Sequence, residues 1–239
     1  MSNPFLSIII PAHNEENRLP DTLAQVVQFL QSQPYTSEVL VVENASRDNT
    51  RKIAQDFAAQ NPAIQAIHLD QPGKGRAVQT GMLAARGEYR FFADADLSMP
   101  IGELNRFLPP AVDAPIVIAS REAPGAIRYD EPSYRHVTGR VFNNLIRALV
   151  LPGLQDTQCG FKMFRAEIAE TLFKRQTLMG WSFDVEVLYI ASLRGLSILE
   201  IPIPWYFNPE SKVNVLRDSW RMFRDLLVIR RNGRLGNYD

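Results

Sequence analysis

The sequence predicts an α/β protein built on a doubly wound, mostly parallel central sheet with helices on both faces. Three observations predict it. Short β-branched or aliphatic runs alternate with segments of helical period through the first 120 residues. Several runs stop at loops rich in Pro, Asn, Asp or Gly. A chain of 239 residues, 46% apolar, is long enough to bury one sizeable core and too apolar for general disorder.

The run Leu6 to Ile10 reads as a buried parallel strand stopped by Pro11. From Leu19, with Pro20 in the first turn, Leu23, Val26, Val27 and Leu30 recur at helical spacing. Glu38 to Val42 is a second strand, and Asp48 caps a helix carrying Ile53 and Phe57 that stops at Asn61-Pro62. Ala63 to Leu69 is a third strand and Gly75 to Arg86 a third helix. Tyr89 to Ala93 is the fourth strand; after a helix around Leu104 and Leu108, Pro115 to Ala119 is the fifth. The polar stretch Arg121 to Arg140 lacks periodicity and predicts a mobile loop. Beyond it, Val141, Phe142, Leu145, Ile146 and Leu149 predict a helix, Ala166 to Phe173 and Asp184 to Leu193 two more, and Ser197 to Ile201 a strand. With no linker or repeat, this second half is expected to extend the same sheet.

The 26 basic and 26 acidic residues balance, which argues against a nucleic-acid binder. Cys159, the one cysteine, has no internal disulfide partner and suits a reducing cytosol. The N-terminus lacks a basic region of the signal-peptide kind, and no run reaches the roughly 18 apolar residues of a membrane span. A cytoplasmic protein, soluble or peripheral on the cytoplasmic face of a membrane, is expected.

Ligands of open α/β sheets bind outside the carboxyl ends of the strands, so the loops there carry the chemistry. They read Pro11-Ala12-His13-Asn14-Glu15-Glu16, Glu43-Asn44-Ala45-Ser46-Arg47-Asp48, Pro72-Gly73-Lys74-Gly75-Arg76 and Asp94-Ala95-Asp96. Carboxylates, amides, small residues and a cation suit a nucleotide diphosphate with a divalent metal. Asp94 and Asp96 repel one another unless a cation lies beside them, and hard Mg²⁺ or Mn²⁺ would take an oxygen from Asp96. The competing reading is a cap for a helix near Pro100; the place after an apolar strand favours the metal. Gly73-Lys74-Gly75 alone favours an ordinary turn over a phosphate loop, and Glu15 and Glu16 alone favour first-turn acids. His13, His68 and His136 lack metal-ligand spacing and read as structural or surface residues. Without G-x-S-x-G or an activated Cys159, a nucleophilic hydrolase is disfavoured.

Together with Asp156-Thr157-Gln158-Cys159-Gly160-Phe161-Lys162, these motifs resemble a GT-A glycosyltransferase of family 2 from about Leu6 to Arg231. The branch most resembled is that of dolichyl-phosphate β-glucosyltransferases and polyprenyl-phosphate sugar synthases. Trp181 to Glu186, Ser211-Lys212-Val213 and Leu216-Arg217-Asp218 favour the glucosyl side. The resemblance implies inverting transfer of a hexose, glucose from UDP-glucose, to a polyprenyl or dolichyl phosphate or another acceptor. By motif position, Pro11, Ala12, Glu15, Glu43 or Asn44, Lys74 and Asp94 would bind the nucleotide sugar, and Asp96 the Mg²⁺ or Mn²⁺. The family usually has two Asp and a Gly where this chain has Glu43-Asn44-Ala45, which leaves the base and its reader open. The implied organisation is one domain over 1–239: a nucleotide-sugar half over 1–120, an acceptor half over 121–210 and a basic amphipathic helix over 211–239.

Transfer places negative charge on the departing diphosphate, which a metal and basic side chains stabilise. Arg121, Arg135 and Arg140 are candidates for acceptor or donor phosphates, against the alternative of a solvated basic loop. Asp184 and Glu186, beside Trp181, are expected near the acceptor, Asp184 as base if the acceptor is a neutral hydroxyl; the alternative is a pair of helix N-terminal acids and a core Trp. Asp156 is expected in the same cleft as a third catalytic carboxylate. Residues 211–234 hold seven basic and two acidic residues, a net of +5, with Leu216, Trp220, Phe223 and Leu227 on one helical face and Arg217, Arg221, Arg224 and Arg231 on the adjoining one. Such a helix lies on an anionic membrane or packs on the domain. The rival functions are transfer to a soluble acceptor or a lipid headgroup, and nucleotide-sugar binding without turnover.

Overall fold

The aliphatic runs of the first half are buried nearly end to end, as strands covered by helices on both faces must be, except Ile64–Leu69, which forms an edge of the sheet. The computed structural model describes residues 3–208 and 215–239, the side chains of the latter stretch from Trp220 onward. Within these residues a seven-stranded sheet contains β1 (Leu6–Ala12), β2 (Ser37–Asn44), β3 (Ile64–Leu69), β4 (Tyr89–Ala93), β5 (Ile116–Ser120), β7 (Phe161–Arg165) and β8 (Ile198–Pro202). The order is β3-β2-β1-β4-β7-β5-β8. Every neighbouring pair is parallel except those of β7, which runs antiparallel to both β4 and β5. The second half therefore does extend the first half's sheet. A separate parallel pair joins β6 (Ile127–Tyr129) to β9 (Pro204–Tyr206).

Helices α1 (Leu19–Gln31) and α2 (Thr50–Gln60) and a 3-10 helix (Ile101–Phe107) share one core, where Leu19, Leu23 and Val26 meet Leu104 and Phe107. The opposite core holds α3 (Lys74–Ala84), α4 (Ser133–Leu149), α5 (Ala166–Phe173), α6 (Phe183–Leu193) and α7 (Val215–Arg234). The chain winds from β1 out to β3, then returns through α3 to β4 on the other side of β1. That reversal is a topological switch point, and the crevice it opens lies beyond Ala12, Asn44 and Ala93.

Several expectations are corrected. The first strand continues through Pro11 to Ala12. Its ladder to β4 ends at Ile9, so Pro11 keeps one partner strand and the missing N–H is tolerated as on an edge. The segment expected as a loop over 121–140 contains β6 and the first turns of α4, held by the β6–β9 ladder and by stacking of Tyr129 on Tyr206 at 4.6 Å. The strand β7 went unpredicted because Lys162 and Arg165 interrupt its apolar run. Its period-two signal is present all the same: Phe161 and Met163 enter one core and Phe164 the other. On α7 the fully buried residues are Leu226 and Ile229, whereas Trp220 is 65% and Leu227 49% exposed. Leu216, Arg217 and Asp218, with Ser211, Lys212 and Val213, lie outside the described side chains.

Candidate active site

A cavity of about 810 Å³ opens at the switch point. Pro11, Glu15, Asn44, Lys74, Asp94 and Asp96 form one wall, and Arg121, Arg128, Arg135, Trp181, Asp184 and Trp205 face them. Most of the residues expected to act together are thus brought together.

Asn44 builds the first wall. Its amide donates to the Ala12 carbonyl at 3.0 Å, its side-chain oxygen accepts from Gly73 N–H at 3.0 Å, and its own carbonyl accepts from His13 Nδ1 at 2.6 Å. Three of the four loops are tied by this one residue. Ala12 itself is buried and supplies a carbonyl rather than a wall. Glu43 also lies off the cavity, a correction. It accepts from Ser46 N–H and pairs with His68 at 2.5 Å, and although burial pushes its pKa up, these partners bring it below the usual range. Glu15 lines the cavity and pairs with Arg18.

The glycines around Lys74 answer to a close approach. A Cβ on Gly73, which has φ +148°, would lie 2.5 Å from the Met179 carbonyl oxygen, and one on Gly75 would lie 2.7 Å from that of Leu178. Gly75 N–H donates to Gly180 and Arg76 N–H to Met179, so the turn is seated on residues 178–180. Lys74 Nζ then sits 2.6 Å from Asp94 Oδ1 and 5.3 Å from the Trp181 ring centre. Burial pulls the Lys74 pKa down, but the charges of Asp94 and Asp184 outweigh it and keep the ammonium protonated.

Asp96 accepts from Ser98 N–H at 3.1 Å. Burial, then the adjacent Asp94 charge, push its carboxyl pKa up. A carboxylate in that state, with a second one beside it, suits a hard divalent cation. Among the described residues no group of three or more His, Cys, Asp or Glu side chains forms a metal cage, so the donor set fits an ion that shares its shell with a ligand's phosphates and water. Gly160, whose carbonyl accepts from Asp94 N–H, lies where any Cβ would overlap the Asp94 carboxylate.

The opposite wall is basic and aromatic. Asp156 is fully buried and off the cavity surface. It grips Arg121 through Nε at 2.7 Å, Nη2 at 2.9 Å and the backbone N–H at 3.0 Å. Burial raises the Asp156 pKa, but Arg121 overrides this and takes it to about 2. Expected to line the cleft, Asp156 instead lies behind it and holds Arg121. The guanidiniums of Arg121 and Arg128 lie 5.4 and 5.7 Å from the Trp205 ring, and that of Arg135 lies 5.1 Å from Phe207. Arg140 is exposed on α4 away from the cavity, the solvated member of the three.

Asp184 sits on the cavity wall with its Oδ1 2.7 Å from Lys162 Nζ, which also donates to the Cys159 carbonyl. Burial raises the Asp184 pKa against the pull of Lys162 and Lys74. Trp181 is 40% exposed on the cavity rim rather than in the core. Glu186 is a correction: fully buried, it accepts four hydrogen bonds, from Thr177 N–H, Thr177 Oγ1, Leu178 N–H and the Tyr238 hydroxyl. Its acceptor sites are filled and none faces the cavity. Cys159 is buried and does not line the cavity, and burial pushes its thiol up to about 12, both of which disfavour it as a nucleophile. Sequence reasoning gave no role to Arg128, Lys162, Trp205 and Phe207; for the two aromatic residues the run Trp205-Tyr206-Phe207 was the available signal.

A mostly parallel sheet with one inserted antiparallel strand, and a carboxylate-lined cavity at its switch point, define the GT-A class of glycosyltransferase. The sequence matches the profile of glycosyl transferase family 2 over residues 7–173, and the chain belongs to that family. It is 31% identical over 245 residues to a dolichyl-phosphate β-glucosyltransferase of Dictyostelium discoideum, covering 96% of this chain and 75% of the relative. A human dolichyl-phosphate β-glucosyltransferase is 33% identical, with 94% and 74% covered. Glucosyl-3-phosphoglycerate synthase of Mycobacterium tuberculosis, in complex with UDP, superposes with a TM-score of 0.68 at 18% identity, covering 95% of this chain and 80% of that one. The same synthase with Mn²⁺, UDP and glucosyl-3-phosphoglycerate gives 0.66 at 17% identity, covering 98% and 80%. At such identity these structures speak for the fold.

Proposed function

We propose that the chain transfers glucose from UDP-glucose to a polyprenyl phosphate of the dolichyl type at a membrane surface, with inversion at the anomeric carbon. The observation that supports this reading is one cavity lined both by Lys74, Asp94 and Asp96 and by Arg121 and Arg135, while Arg128 is paired with Glu122 and Glu131. The names of the relatives supply the sugar and the lipid.

On the donor side Asn44 fixes the loops that flank the nucleotide, and Lys74 meets the diphosphate. Asp94 and Asp96 would hold Mg²⁺ or Mn²⁺, which when bound neutralises charge on the departing diphosphate. On the acceptor side Arg121 and Arg135 hold the lipid phosphate, their planar groups braced on Trp205 and Phe207. A phosphate oxygen forms the new bond to the anomeric carbon while the bond to the diphosphate breaks and its electron pair leaves with UDP. A phosphate monoester is already anionic at neutral pH, so no proton has to be removed from it. Asp184 then serves to balance Lys74 and Lys162 rather than as a base.

Among the described residues no helix is long and apolar enough to cross a membrane. Contact with lipid would come from α7, which exposes Trp220 and Leu227 beside Arg221 and Arg224, and from α4, which exposes Tyr134, Val137 and Val141 on one stripe beside Arg140. Both helices also wall the cavity, α4 through Arg135 and α7 through Arg221. Incubation of the protein with Mn²⁺, labelled UDP-glucose and dolichyl phosphate tests the reading. A glucosylated lipid formed in step with UDP is expected. Transfer only to a soluble phosphorylated acceptor, or binding without turnover, would overturn it.

A further inference from the structure

Residues 176–181, between α5 and α6, form the seat on which the Lys74 turn rests. Gln176 donates to the Gly75 carbonyl at 2.9 Å and to that of Leu178 at 2.8 Å, and Gly75 and Arg76 donate back to Gly180 and Met179. This seat is irregular backbone, and its own anchor is Glu186. Three of the four hydrogen bonds to that buried carboxylate come from Thr177 and Leu178. The fourth comes from Tyr238, 2.8 Å away and 52 residues further along the chain. Tyr238 is 2% exposed, packs edge-on against Tyr189 at 6.4 Å, and accepts from Arg194 through its carbonyl. A side chain on Gly233, in the last turn of α7, would meet the Tyr189 ring, so the end of α7 packs closely on the residue that Tyr238 packs against.

We propose that Glu186 and Tyr238 are positioning residues of the donor site, fixing the 176–181 seat and through it Lys74. Removing the phenol hydroxyl leaves a buried carboxylate one donor short, and the seat is the part of its surroundings free to adjust. The inference rests on the reading of Lys74 as the cation for the donor diphosphate. It gives the turn that follows α7 a share in nucleotide binding although it touches no part of the cavity.

The test measures UDP affinity by calorimetry with Mn²⁺ present, together with the KM for polyprenyl phosphate, in wild type, Tyr238→Phe and Glu186→Gln. Tyr238→Phe keeps the ring and removes only the hydroxyl. It is expected to weaken UDP binding about tenfold while the acceptor KM stays unchanged and the far-ultraviolet spectrum stays that of the folded protein. A folded Tyr238→Phe protein with wild-type UDP affinity would overturn the proposal, and so would an equal loss on both sides. If Glu186→Gln does not fold, Tyr238→Phe alone decides. Wild-type protein that binds no UDP would instead overturn the functional reading beneath it.

Discussion

Three acids in or near the site look alike as letters, and their surroundings give them different work. Asp96 faces the cavity with its pKa raised by burial and by Asp94, so a cation is what settles it. Asp96→Ala is therefore expected to abolish metal-stimulated transfer; full activity with Mn²⁺ would remove the metal assignment. Asp156 faces Arg121 and is held ionised at a pKa of about 2, below its usual 3.8. The stability from this pair is present in full above about pH 4 and is lost as the pH falls through about 2. Asp156→Asn leaves the partly buried Arg121 guanidinium without its counterion and is expected to cost about 1.5–3 kcal/mol in a urea titration at pH 7. That difference should shrink between pH 4 and pH 2, and a gap constant with pH would refute the assignment. Glu186 shows why residue-level reading stops short. Its partners Thr177, Leu178 and Tyr238 approach only through folding, and nothing in Trp181-Ser182-Phe183-Asp184-Val185-Glu186 tells which acid lines the cavity.

Elements with a local signal were legible, and those defined by a distant partner were not. The strand Tyr89–Ala93 and the helix Ala166–Phe173 were expected with the bounds observed, because an apolar run or helical period suffices to specify them. β6 and β9 have three residues each and exist only as each other's partner, so their charged and aromatic residues read as loop. On α7 the pattern admits two apolar faces; packing took Leu226 and Ile229, which leaves Trp220 and Leu227 outward. Co-sedimentation with anionic vesicles at low salt checks this outward surface. Wild type is expected to bind, and Val137→Glu with Leu227→Glu to abolish binding while leaving UDP affinity intact. Binding unaffected by both changes would show that neither helix meets lipid.

At the scale of the whole molecule, a net charge of zero conceals a division. Residues 211–234 carry +5, so the remainder carries −5, much of it at the ends of the strands. The cavity is lined by Asp94, Asp96 and Lys74, after β4 and at the start of α3, and by Arg121, Arg128 and Arg135, after β5, on β6 and on α4. Donor loops were legible as an ordered set because each follows a strand. The arginine wall was legible only in part, since Arg140 shares the composition of Arg121 and Arg135 and points elsewhere. Lys74 and Arg135 are expected to serve two different phosphates. The most direct measurement is the pair of constants, UDP affinity and KM for polyprenyl phosphate, in Arg135→Ala. A rise of about tenfold or more in the acceptor KM with UDP affinity unchanged is expected from losing a charged hydrogen-bond donor. An unchanged acceptor KM, or UDP affinity weakened by the same factor, would contradict a cavity divided in this way.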